Sequence, residues 1–155
     1  MEPATALPPD TQTRTCAPAP PDSRIHEPHR PAPDPPGFTG TFGGRAAEAG
    51  RVRREIAAYL QTCPAAADMV LIASELAANA IMHTRSRGGS FRVRCQLSAQ
   101  AARIEVEDLG GPWRSRQPGD RPHGLDIITA LTAPGEWGTQ PTATGGRIVW
   151  ARLSW

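Results

Sequence analysis

The sequence predicts an α+β two-layer sandwich, in which two helices precede an antiparallel run of strands broken by one further helix. Two patterns carry this reading. Between Ala65 and Thr84, Met69, Ile72, Ala73, Leu76, Ala80 and Ile81 recur at three- and four-residue steps, the period of a helix with one buried face. From Phe91 to Leu97 and from Ala102 to Glu107, apolar residues alternate with Arg, Gln or Glu, the period of a half-buried hairpin.

The elements follow in order. Phe38 to Phe42 reads as a short edge strand. Arg45 to Gln61 reads as a helix with Val52, Ile56, Tyr59 and Leu60 on one side, slightly weakened by Gly50. Pro64 suits the first turn of the Ala65–Thr84 helix, because its missing N–H is one that a first turn leaves unused. In the hairpin, Arg92, Arg94 and Arg103 can pair with Glu105 and Glu107 across the solvent face. Asp108 closes the second hairpin strand. Leu109 to His123 is rich in Gly, Pro, Arg and Ser and is expected to be a loop; long loops in compact domains often serve as lids over a site. Gly124 to Leu131 is a short helix, and strands near Glu136 to Thr139 and Arg147 to Leu153 finish the chain. The sum is a mixed, mostly antiparallel sheet packed against about three helices.

Composition sets the boundaries. Eleven of the 17 prolines fall before Gly37, in a stretch with few large apolar residues, so residues 1–37 are expected to form a disordered, partly polyproline-like tail ahead of a folded domain over 38–155. The tail carries three Arg against five acidic residues and the remainder 14 Arg against ten, which is only mildly basic. With no set of base-stacking aromatics beside it, that charge argues against direct nucleic-acid binding. All 17 basic residues are Arg, which excludes Schiff-base chemistry and a phosphate-loop lysine. Cys16, Cys63 and Cys95 are odd in number, far apart and without metal-type spacing, as expected of reduced thiols in a cytoplasmic protein. No signal-peptide pattern opens the sequence, and the strongest apolar run, Met69 to Ala73, is too short to span a bilayer.

Asn79 is the sole asparagine, set in the middle of the most apolar helix. Glu75, Asn79 and His83 are spaced i, i+4, i+8 and so stack in one line, which Leu71, Ile72 and Met82 are expected to flank as an apolar surround. A buried amide or carboxylate without a partner costs roughly 1 to 3 kcal/mol, so protein groups or a ligand should satisfy this line. His83, at the helix end, reads more simply as a capping or surface histidine. Asp108 before two glycines is open to two readings, turn chemistry or function.

The run Ser74-Glu75-Leu76-Ala77-Ala78-Asn79-Ala80-Ile81-Met82-His83, followed by Asp108-Leu109-Gly110, His123-Gly124-Leu125 and Gly145-Gly146-Arg147-Ile148-Val149-Trp150, resembles the GHKL ATPase family. The resemblance covers Phe38 to Trp155 and is strongest to the small bacterial anti-sigma-factor serine/threonine kinases. It implies a Bergerat-type sandwich that binds ATP and Mg²⁺. By this resemblance Asn79 is the Mg²⁺ ligand and Glu75 the general base that accepts a proton from the attacking hydroxyl. Asp108 is the adenine reader. Gly110, Gly124 and Leu125 let backbone approach the nucleotide. The implied partners are a sigma factor, an antagonist protein whose Ser or Thr is phosphorylated, or both; the sequence does not fix the oligomeric state and leaves a homodimer open. Pro112 and Pro122 depart from the glycine boxes, each removing an N–H from the lid, and Ile148 stands where many relatives have threonine. A second function class therefore stays open beside the kinase: a non-catalytic partner-binding module with a degenerate nucleotide site.

Overall fold

The computed structural model describes residues 37–111 and 124–155, all within the compact unit Pro33–Trp155. The elements run β1 (Phe38–Gly43), α1 (Ala46–Tyr59), α2 (Ala66–His83), β2 (Ser90–Leu97), β3 (Ala101–Asp108), α3 (Gly124–Leu131), β4 (Trp137–Pro141) and β5 (Arg147–Ser154). Every expected element is present, with ends displaced by one or two residues. The expectations for the Pro-rich tail and for the lid residues Pro112 to His123 lie outside the described residues.

The five strands are ordered β1-β2-β3-β5-β4. All four pairings are antiparallel, where a mixed, mostly antiparallel sheet was expected. The reason is positional: β3 and β4 run the same way, but β5 lies between them. The alternation read from the sequence divides the sheet by face. Phe42, Phe91, Val93, Cys95, Ala102, Ile104, Val106, Val149 and Ala151 point into the core, where Val52, Ile56, Leu60, Met69, Ile72, Leu76 and Ile128 of the helical layer and its first connection meet them. On the solvent face the expected charge ladder forms. Arg94 bonds Glu107 at 3.0 Å, Arg103 bonds Glu105 at 2.9 Å, and the Arg103 guanidinium lies 4.0 Å over the Trp150 ring. These half-buried surface pairs each contribute about 0 to 1 kcal/mol, and Arg94–Glu107, which spans β2 and β3, also favours their register.

Pro64 is not in the first turn of α2. The cap is Ala65, and the residues before it form a turn in which the Ala66 N–H donates to the Cys63 carbonyl, so the proline is used to close the connection from α1. Leu71 and Met82, expected as apolar flanks, are exposed at 41% and 57%. The fully buried apolar residues of α2 are Met69, Ile72, Ala73, Leu76, Ala77, Ala80 and Ile81, and Glu75 and Asn79 sit half-buried at the margin of this stripe. The polar line thus borders the core and does not run through it.

Candidate functional site

The site grows from the middle of α2, where Glu75 and Asn79 lie one turn apart on the half-buried margin of the helix. Among the described residues, the Asn79 Nδ2 is buried and has no hydrogen-bond partner. The protein around it therefore leaves unmet the need that the sequence pattern raised. An amide in this position offers a hard oxygen acceptor and an N–H donor to anything that enters. No group of three or more His, Cys, Asp or Glu stands together among the described residues, so a cation here would take most of its oxygens from a ligand and water. That is the habit of Mg²⁺ bound with phosphates.

Glu75 is met by the start of α3. A Cβ on residue 124 would lie 2.5 Å from Glu75 Oε2 and 2.9 Å from Glu75 Cβ, so only glycine permits α3 to begin against this carboxylate. Leu125 is half-buried and packs on the core, which sets the direction of α3 from its first turn. His83 is exposed in the last turn of α2, in keeping with the simpler reading.

The second half of the site is the end of β3. Asp108 is 4% exposed and ends the strand with its side chain on the core face. Its Oδ1 accepts the Gly110 N–H at 2.6 Å, and its Oδ2 accepts from Arg147 Nη2 at 3.2 Å. The turn reading of Asp108 thus has its geometry, and Arg147 holds the same carboxylate ionically. Gly110 has φ +67, and a Cβ there would lie 2.7 Å from the Gly145 carbonyl oxygen. The turn after β3 and the turn between β4 and β5 are in direct contact.

Three residues that sequence reasoning passed over join the two halves. The chain leaving α2 is stitched to the β3 turn. Arg85 donates its N–H to the Gly110 carbonyl at 2.7 Å, and the fully buried Ser86 accepts the Leu109 N–H on its hydroxyl at 3.0 Å. Thr84 supports this by bonding the Ala80 carbonyl at 2.7 Å while accepting the Ser86 N–H at 3.0 Å. The stretch between the helix and the hairpin carries no motif of its own in the sequence. What a sequence offers for finding it is the position, directly after the Glu75/Asn79 helix.

Five antiparallel strands covered on one face by three helices, with the glycine turns at one end of the sheet, define an open-faced α+β sandwich. Residues 43–147 match the family model of the histidine kinase-like ATPase domain, and the chain belongs to that family. In three dimensions the chain is similar to the crystal structure of the RsbU and RsbW domains of Rv1364c from Mycobacterium tuberculosis, with a TM-score of 0.60 and 23% identity. The similarity covers 77% of this chain and 32% of that one, so the chain spans well under half of that protein, and at this identity the likeness shows the fold. No curated protein matches the sequence.

Proposed function

We propose that the chain is an ATP-binding regulatory protein of the anti-sigma-factor kinase type, acting in the cytoplasm on a sigma factor, an antagonist protein or both. The observation that carries the nucleotide half of this reading is the buried, unpartnered Asn79 Nδ2 in a family whose domain is named for ATP hydrolysis. Bound Mg²⁺ would shield the charge of the phosphates. Asn79 would give its Oδ1 to the metal and its N–H to a phosphate oxygen, so the amide gains both partners at once. Asp108 would accept from the exocyclic amino group of adenine, beside the bond it already takes from Gly110. The N–H groups at the start of α3, at Gly124 and Leu125, would face phosphate charge. Glu75, beside them, would take the proton from a Ser or Thr hydroxyl of the antagonist as it attacks the γ-phosphate, whose bond to the β–γ bridging oxygen breaks with ADP as the leaving group.

The test is phosphoryl transfer. With ATP and a co-purified partner, the wild type should label the partner on Ser or Thr, while Glu75→Gln keeps nucleotide binding and loses transfer. Retained transfer by Glu75→Gln removes Glu75 from the role of base.

A second reading, a partner-binding module without catalysis, is favoured by one observation: both Asp108 carboxylate oxygens already have partners within the fold. Labelling of any partner by the purified chain rules it out.

A further inference from the structure

The residue that leaves α2 makes contacts that the nucleotide reading does not use. Arg85 donates through Nε to the Leu109 carbonyl at 3.0 Å and through Nη2 to the Gly145 carbonyl at 3.1 Å, while its main-chain N–H holds the Gly110 carbonyl at 2.7 Å. One residue therefore grips three carbonyls on two separate turns, one after β3 and one between β4 and β5. Between these carbonyls lies the Gly110 N–H that fixes Asp108 Oδ1 at 2.6 Å. The two turns touch where a Cβ on Gly110 would meet the Gly145 carbonyl oxygen at 2.7 Å. A planar guanidinium fork serves both carbonyls from a single position, which water would satisfy separately. An ammonium is a point charge without that fixed fork.

We propose that Arg85 is a positioning residue of the nucleotide site: it holds the two glycine turns together and so fixes the Asp108 carboxylate for base reading, in register with α2. This rests on the ATP reading above. Arg85 acts through Leu109, Gly110 and Gly145 and does not itself touch the nucleotide. Its side-chain bonds are solvent-exposed. Their loss leaves the main-chain bond to Gly110 and the β3–β5 ladder at Asp108 and Arg147 in place, and removes the side-chain link from Leu109 to Gly145.

The experiment titrates the full chain with Mg·ATP and with Mg·GTP, for wild type, Arg85→Ala and Arg85→Lys, with melting temperatures measured alongside. Arg85→Ala should bind ATP about tenfold more weakly, the order expected for two exposed charge-assisted hydrogen bonds. Its preference for ATP over GTP should shrink by a similar factor, and Arg85→Lys should recover only part of both. Should Arg85→Ala fail to fold, Arg85→Lys carries the same comparison. Equal weakening toward both nucleotides, or wild-type affinity and preference in both variants, overturns the inference while the ATP reading stands. A wild type that binds neither nucleotide at millimolar concentration overturns that reading and the inference with it.

Discussion

Asp108 and Arg147 face each other across the β3–β5 ladder and form an ion pair, with Arg147 Nη2 3.2 Å from Asp108 Oδ2 and the two side chains 15% and 3% exposed. The acid closes one strand and the base opens the other, so the antiparallel register alone brings them together. Removing one member leaves a charge in a place with little water. Arg147→Ala should cost about 2 to 3 kcal/mol of stability in urea unfolding, somewhat below the range for a fully buried pair because the guanidinium keeps some solvent. In a double-mutant cycle with Asp108→Ala, a coupling above about 1 kcal/mol is expected, and additive losses would show that the pair is incidental.

Gly124 is required by the nearness of Glu75. Gly124→Ala gains helix propensity, but its methyl would sit 2.9 Å from Glu75 Cβ, an atom that cannot swing aside. The expected net result is destabilisation of about 1 to 3 kcal/mol, as for other overpacked sites. A variant as stable as the wild type would mean that α3 shifts freely on α2.

Cys95 gives a prediction in pH. Burial, with the neighbouring Cys63 thiol as a smaller cause, pushes its pKa up from 9.0 to about 12. Between those values the folded chain keeps a proton that the unfolded chain has lost. Stability held in full below about pH 9 should therefore fall as pH rises toward 12, at up to about 1.4 kcal/mol per pH unit. Urea midpoints from pH 8 to 10.5 for wild type and Cys95→Ala check this, with a steeper decline expected for the wild type. Parallel declines would contradict it. In the native protein at pH 8 the Cys95 thiol should also resist alkylation that proceeds readily in urea.

The fold was legible because each element announces its own period: three to four residues in α2, two in β2 and β3. The helix half of the site was legible for a related reason. Glu75 and Asn79 share a helix, and spacing along a helix is geometry. Gly124 was legible as a glycine at a helix start, while the carboxylate that demands it was not. Arg85, Ser86 and the Asp108–Arg147 pair were hidden because each joins segments far apart in sequence, through carbonyl directions and strand register that no local pattern encodes. The exposure of Leu71 and Met82 was misjudged on similar grounds. Periodicity says which residues share a face, but the packing of α1, α3 and the sheet decides how wide the covered stripe is.

On the proposed reading, Asn79 is kept for a ligand and not for the fold. An unpartnered buried amide in a helix is a local cost, and alanine there removes it while improving helix propensity. The direct measurement is calorimetric titration of the wild type and of Asn79→Ala with Mg·ATP, beside their urea unfolding curves. The wild type should bind in a Mg²⁺-dependent manner, and Asn79→Ala should lose that binding while matching or exceeding the wild type in stability. Undiminished Mg·ATP binding by Asn79→Ala, or no binding by the wild type at millimolar nucleotide, would show that Asn79 is not kept for this ligand.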